Sequence, residues 1–134
     1  MKKKVKGFSL IELMIIIVII GVLSALWMRV SIGVLSDAKK NIAEASTGSV
    51  RLAQTEYLSN NGSYYYTSGG CSSTTTKQII SELFGGSKEL AEKDFYYCIS
   101  KNPNSDTFKI TAKRITNNCQ VIRDEKNNIT ESNC

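Results

Sequence analysis

The sequence predicts an α+β protein in which one long N-terminal helix, membrane-spanning first and amphipathic afterwards, packs on a small antiparallel sheet. Three observations support this fold class. The stretch 7–28 is almost wholly apolar. Apolar and small residues then recur at spacings of three and four as far as residue 53. Short alternating segments separated by turn residues fill the chain after residue 95.

The apolar stretch is long enough to cross a membrane. It contains 19 residues from Leu10 to Met28, and a helix of that length extends roughly 29 Å, close to the hydrocarbon thickness of a bilayer. Lysines precede it at positions 2, 3, 4 and 6. Three interpretations are open: a plain single-pass anchor, a secretory signal peptide cut before Ala25, or a signal cut before the apolar run, between Gly7 and Phe8.

One acidic residue, Glu12, separates these interpretations. A carboxylate in an apolar span costs on the order of 2.5 to 3.5 kcal/mol on insertion scales. A signal peptide or a simple anchor gains nothing from that cost. A subunit that docks beside its neighbours can use the carboxylate as a polar contact, so Glu12 favours the third interpretation.

The segment from Lys6 to Met14 reads Lys-Gly-Phe-Ser-Leu-Ile-Glu-Leu-Met. It resembles the processing site of type IV pilins and of the related type II secretion pseudopilins. The resemblance covers the glycine before the cut, the phenylalanine after it and the acid at the fifth residue beyond. It also covers the unbroken apolar run that follows, with Gly21 inside it.

The resemblance implies specific roles for the N-terminal residues. Residues 1–7 would be a leader peptide that a prepilin peptidase removes by cutting between Gly7 and Phe8. The same peptidase would N-methylate Phe8, and Glu12 would act in assembly. The sequence departs from many family members at Arg29, where they carry a proline.

A single helix is predicted over residues 8–59, with its transmembrane part at about 10–28. The stop at Asn60-Asn61-Gly62-Ser63 places glycine at a left-handed position and resembles the helix end of pilins and pseudopilins. Beyond the span, one face of the helix is expected to pack against the chain's own sheet. The residues of that face are Val30, Val34, Ala38, Ile42, Ala45, Ser49, Leu52 and Ala53.

Residues 60–134 are predicted to form a globular head. We expect a polar loop over 64–76 and a short helix over 77–84 that ends at Gly85-Gly86. An antiparallel meander follows, with strands at 95–100, 107–114, 119–123 and 129–131. Such a head resembles that of pilins, and the stretch from Phe108 to Cys134 resembles most the tail of pilus-associated minor pilins.

All four cysteines lie in the second half of the chain, at Cys71, Cys98, Cys119 and Cys134. That half would face an oxidising compartment, where disulfides persist. The sequence has no Cys-x-x-Cys and no histidine, which disfavours a metal site. Four cysteines allow three pairings. We favour Cys71 with Cys98 and Cys119 with Cys134, the second because pilins commonly close a C-terminal loop with a disulfide.

The net charge of +5 belongs mainly to the predicted leader. Beyond residue 7, 13 basic residues face 12 acidic ones, so no specific nucleic-acid partner is expected. The basic cluster before the span predicts a cytoplasmic N-terminus. Without histidine or a phosphate-binding loop, the usual nucleophile systems are absent from the sequence, and we expect neither enzymatic activity nor a cofactor.

These features favour a structural subunit of a type IV pilus, major or minor, assembled through its hydrophobic helix. The alternatives are a pseudopilin of a type II secretion or competence DNA-uptake system, and a single-pass membrane-anchored adhesin. The expected partners are prepilin peptidase, other pilin subunits, an inner-membrane assembly platform and the membrane itself. The expected location is the inner membrane, and afterwards an extracellular pilus or a periplasmic pseudopilus.

Overall fold

The computed structural model describes residues 7–87 and 90–134, and their side chains except at 28–32. The predicted leader therefore lies outside the described residues, apart from Gly7. Two helices and four strands follow one another in the described chain. They are α1 Leu10–Asn61, α2 Ser73–Phe84, β1 Phe95–Lys101, β2 Phe108–Arg114, β3 Gln120–Asp124 and β4 Ile129–Ser132. This arrangement confirms the predicted α+β class.

The chain divides into two compact units between Asp37 and Ala38. The first unit contains the apolar part of α1. Within it, Leu10–Trp27 is long and apolar enough to cross a membrane, judged by length and composition, and none of this window is buried. The sequence predicts a span one residue longer, at about 10–28.

The second unit contains the rest of α1, together with α2 and the sheet. One face of α1 is buried in this unit, at positions that recur every three or four residues as one helix face requires. The buried residues of α1 are Ala43, Thr47, Val50, Ala53 and Gln54. Two of these five are polar, and both make hydrogen bonds.

The sequence-based prediction of the packed face is wrong for this part of α1. It selected several residues that the structure leaves exposed, namely Ala38, Ile42, Ala45 and Leu52, whereas Ala53 is buried as predicted. Val30, also predicted on this face, lies outside the side chains that the structure describes. The prediction counted only apolar and small side chains, whereas the true inward face includes Thr47 and Gln54. Polar side chains can be buried at little cost where partners satisfy them, and the pattern alone does not show those partners.

The four strands form one antiparallel sheet in chain order, β1-β2-β3-β4. Each strand begins and ends within one residue of the predicted bounds. Alternate strand residues point toward the helices, and with Ala43, Val50, Ile79 and Leu90 they form the core. The strand residues in this core are Phe95, Tyr97, Ile99, Phe108, Ile110, Ala112 and Val121.

Helix α2 begins four residues earlier than predicted, because a capping box starts it at Ser72. The Ser72 hydroxyl accepts a hydrogen bond from the Thr75 backbone N–H at 3.2 Å, and the Ser72 N–H donates to the Thr75 hydroxyl at 2.9 Å. The segment 73–76, one serine and three threonines, is thus the first helical turn and not the end of a polar loop. Gly85 ends the helix as predicted, with φ at 59°.

Two disulfides are present in the second unit, Cys71–Cys98 and Cys119–Cys134. Cys119 is almost fully buried just before β3, and Cys134 follows β4. The second bridge therefore ties the last strand to its neighbour.

Replacing Cys119 and Cys134 with serine is expected to lower the free energy of unfolding. The bridge closes a loop with a sequence separation of 15 residues, a size for which the chain-entropy model gives roughly 3 kcal/mol. Urea unfolding of the full chain in detergent micelles measures the change. Peptide mapping without reduction that links Cys134 to Cys71 or Cys98 would contradict the pairing and the prediction together.

Candidate assembly site

The N-terminal end of α1 is organised by Ser9 and Glu12. The Ser9 carbonyl accepts the backbone N–H groups of Glu12 at 3.0 Å and of Leu13 at 3.2 Å. The Glu12 carboxylate reaches back and accepts the Ser9 N–H at 3.4 Å. This is half of a capping box, and a negative charge in the first turn also suits the helix dipole. Glu12 thus has a polar contact within its own chain.

The residues around the predicted cut are accessible. Gly7, Phe8 and Ser9 precede the helix, and the Phe8 side chain is 79% exposed. Exposed, non-helical backbone is the kind that peptidases cut. The large apolar side chains that follow, from Leu10 to Trp27, are exposed as well. An apolar surface of that extent is typical of contact with a membrane or another protein.

The second unit leaves a further surface of α1 exposed, opposite to its buried face. We call it the outer face, and it consists of the exposed residues Ala38, Asn41, Ile42, Ala45 and Leu52 together with the half-buried Ser49. None of these residues is charged, although the exposed fraction reaches 51% at Ile42 and 64% at Leu52. The charged residues of the same helical stretch lie on its other sides, at Lys39, Lys40, Glu44 and Arg51.

Comparison with known proteins bears on the N-terminal residues. Residues 2–28 match the family model described as the prokaryotic N-terminal methylation motif. The chain carries a prepilin-type methylation motif. The match supports the type IV pilin and pseudopilin family, as the resemblance of residues 6–14 predicts. No curated protein and no solved structure matches the chain.

The prepilin-type motif has direct consequences for function. It implies processing by a prepilin peptidase and assembly with other pilins, and it favours a structural subunit. With the apolar part of α1, it fits a membrane-anchored pilin-like protein. Among the described residues, no three His, Cys, Asp or Glu side chains are grouped so as to hold a metal ion.

A buried arginine joins the prepilin-type helix to the sheet within the second unit. Arg123 of β3 is 7% exposed. Its Nε donates to the Thr47 hydroxyl at 3.1 Å and its Nη2 to the Glu44 carbonyl at 2.9 Å. Its Nη1 donates to the Asn127 side-chain oxygen. A guanidinium presents its donors in a fixed planar fork, so the two acceptors of α1 hold the helix in one position on β3, and Asn127 fixes the orientation of the fork.

The conformation of the turn after β3 places Asn127 beside this arginine. Asn127 has a φ of 71°, a left-handed conformation that asparagine tolerates better than most residues. The Asp124 carboxylate accepts hydrogen bonds from the backbone and side-chain N–H groups of Asn128, each at 2.8 Å. The side-chain bond is the largest cause that lowers the pKa of Asp124.

Two adjacent lysines of α1 reach the two opposite edges of the sheet. Lys39 Nζ lies 2.6 Å from the carboxylate of Asp94, just before β1, and Lys40 Nζ lies 2.8 Å from that of Glu131 in β4. All four side chains are partly exposed. Such ion pairs contribute about 0–1 kcal/mol each to the free energy of folding. They therefore orient α1 on the sheet more than they stabilise the fold.

Gln54 joins the end of α1 to the loop that follows it. Its side chain is fully buried. Its amide donates to the Tyr65 carbonyl at 2.6 Å and accepts the Tyr65 N–H at 2.9 Å. Sequence analysis missed Gln54, Thr47 and Arg123. Positions 43, 47, 50 and 54 are spaced by four, three and four residues, as one helix face requires. This spacing is the sequence feature that could have placed Thr47 and Gln54 on the same face as Ala43 and Val50.

Proposed function

We propose that this chain is a pilin, a structural subunit of a type IV pilus that assembles through its N-terminal helix. The observation that carries the proposal is the match of residues 2–28 to the prokaryotic N-terminal methylation motif. Prepilin peptidase cuts between Gly7 and Phe8, removes the leader 1–7, and methylates the new amino group of Phe8. The exposure of Phe8 ahead of the helix supports access by the peptidase.

The membrane topology follows from the charge and apolarity of the N-terminal segment. The leader lysines stay in the cytoplasm, the span crosses the inner membrane, and the head lies on the other side, where its disulfides persist. From this position an inner-membrane assembly platform moves the subunit into the filament. The remaining partners are other pilin subunits.

The outer face of α1 supports assembly through the helix. Because it carries no charge, another helix can cover it without desolvating an ion. Its small side chains at Ala38, Ala45 and Ser49 let a neighbouring backbone approach closely. We assign this surface to contact with the adjacent pilin subunit in the filament.

The Cys119–Cys134 bridge favours a pilus over a secretion pseudopilus. It closes the C-terminal strand pair covalently, which suits a subunit exposed outside the cell. Fractionation of cells that express the intact gene distinguishes a pilus subunit from a pseudopilin. A pilin is recovered in filaments sheared from the surface, whereas a pseudopilin or a membrane-anchored adhesin stays with the cell envelope.

Replacing Gly7 with leucine is expected to leave an uncut precursor in the membrane. Glycine has no side chain next to the bond that is cut, and leucine would add bulk at the position that the peptidase is proposed to recognise. Intact-mass spectrometry of membrane protein measures processing, with Lys6→Ala as the neighbouring control that should be cut normally. A mature wild-type N-terminus at Ala25 would instead indicate a secretory signal peptide, and an intact N-terminus an ordinary anchor.

Replacing Leu52 with aspartate is expected to lower filament yield roughly tenfold or more, the factor that corresponds to 1.4 kcal/mol. The change places a carboxylate on the outer face, where a neighbouring subunit would bury it. Leu52 is 64% exposed, so the head should fold and the precursor should be processed normally. The matched control is Thr74→Asp, which places the same charge at an exposed position of α2 and leaves the outer face of α1 unchanged. Equal filament yields from the two variants would remove the outer face from the assembly contact.

A further inference from the structure

Strand β1 forms one edge of the sheet, and the backbone of an edge strand is a template for another strand. In an antiparallel pair, alternate residues exchange the inter-strand hydrogen bonds. Asn102 pairs with Thr107 through a backbone bond of 3.0 Å at the β1–β2 hairpin. The residues of β1 whose N–H and C=O groups point outward are therefore Phe95, Tyr97, Ile99 and Lys101. Tyr97 and Ile99 are the two in the middle of the strand, and the Phe95 N–H at its start donates to the Ala91 carbonyl at 3.2 Å.

Thr67 occupies the outward groups of Ile99. The Ile99 N–H donates to the Thr67 hydroxyl at 3.0 Å. The Ile99 carbonyl accepts the Thr67 backbone N–H at 3.0 Å and lies 3.1 Å from its hydroxyl. Thr67 thus takes the place that a residue of a fifth strand would take.

Two threonines of α2 occupy the outward groups of Tyr97. The Tyr97 N–H donates to the Thr76 hydroxyl at 2.9 Å, and the Thr75 hydroxyl donates to the Tyr97 carbonyl at 2.8 Å. Each hydroxyl also bonds within the first turn of α2, Thr76 to the Ser72 carbonyl at 2.8 Å and Thr75 to the Ser72 N–H at 2.9 Å. A hydroxyl can donate one hydrogen bond and accept others, and the hydroxyls of Thr75 and Thr76 each do both.

A disulfide fastens this arrangement. Cys98 lies between Tyr97 and Ile99 on β1, and it is bonded to Cys71, which lies between Thr67 and α2. The bridge holds the segment that carries all three threonines against the edge strand.

We propose that Thr67, Thr75 and Thr76, fastened by Cys71–Cys98, form a threonine cover that closes the β1 edge to strand addition by a second copy of this chain. Without the cover, β1 would present the β-forming run Phe-Tyr-Tyr-Cys-Ile. Identical edges of two copies pair antiparallel about a two-fold axis. The opposite edge, β4, is only four residues long and carries Glu131, and short, charged edges pair poorly. The inference does not depend on the proposed pilin function.

Amide hydrogen exchange of the full chain in detergent micelles tests the cover residue by residue. In the wild type, the Tyr97 and Ile99 amides should exchange slowly although they face away from β2. Thr76→Val should speed exchange at Tyr97 by about tenfold or more and leave Ile99 unchanged, because valine keeps the shape of threonine and loses the acceptor. Thr67→Val should do the reverse. The matched variants Thr76→Ser and Thr67→Ser keep the hydroxyl and should stay protected.

Self-association tests the consequence. The double variant Cys71→Ser, Cys98→Ser should form dimers in micelles at concentrations where the wild type does not, with renewed protection at Tyr97 and Ile99. The variant Cys119→Ser, Cys134→Ser is the matched control, since it loses a bridge away from β1, and it should not gain this dimer. Fast exchange at both amides in the wild type, unchanged exchange in the valine variants, or no additional dimer from the Cys71 and Cys98 variant would each overturn the proposal.

Discussion

Replacing Glu12 with alanine is expected to leave the protein inserted in the membrane and cut after Gly7, yet almost absent from filaments. The proposed cut would create a charged amino group on Phe8, next to an apolar span. An isolated ammonium or carboxylate in such surroundings is costly, whereas a pair satisfies both charges. In a staggered bundle, Glu12 of one subunit can meet the Phe8 amine of the next and so favour entry at the right depth.

The capping contact within the chain supplies a sharper version of this experiment. The Glu12 carboxylate accepts the Ser9 N–H at 3.4 Å, and a glutamine at this position keeps that acceptor while it removes the charge. If the charge acts in assembly, Glu12→Gln should fail as Glu12→Ala does, and Glu12→Asp should retain partial yield. The comparison uses processed protein in membranes against protein in sheared filaments. Wild-type filament yield from the alanine variant would leave Glu12 without a role in assembly.

Replacing Arg123 with alanine is expected to destabilise the head by about 2 to 4 kcal/mol, from lost charge-assisted hydrogen bonds and from the cavity left behind. The guanidinium is almost fully buried and bonds to two residues of α1 and to one of the β3–β4 turn. Its loss removes the main polar connection between α1 and β3. Urea unfolding in micelles, followed by the near-ultraviolet circular dichroism of the tyrosines, measures the effect.

A lysine at position 123 shows whether the positive charge or the planar shape of the guanidinium stabilises the head. Arg123→Lys keeps the cation, but an ammonium is a point charge and lacks the planar fork that reaches three acceptors at once. We therefore expect the lysine variant to lose nearly as much stability as the alanine variant. Thr47→Val removes the acceptor of Nε at 3.1 Å and also the hydroxyl's own hydrogen bond to the Glu44 carbonyl at 2.9 Å. It should cost about 1 to 3 kcal/mol, mainly by leaving a buried donor of Arg123 unpaired. A lysine variant as stable as the wild type would contradict the geometric argument.

The sequence by itself determined the features that depend only on residues close together in the chain. The order of Gly7, Phe8 and Glu12 ahead of an apolar run predicts a prepilin-type motif, and residues 2–28 match that motif. The strands were predicted to within one residue because alternation with a period of two is local. The left-handed glycine that ends α1, Gly62 with φ at 74°, was predicted for the same reason.

Only the tertiary structure decided which side of α1 faces the head. Apolar periodicity favours the side of Ile42 and Leu52, but the structure buries the side of Thr47 and Gln54. Thr47 is satisfied by Arg123, 76 residues away in the chain, and Gln54 by the backbone of Tyr65. The free energy of burying a polar side chain depends on whether such a partner lies within hydrogen-bonding distance. That distance is set by the folding of the whole head, so no local pattern around residues 47 and 54 contains it.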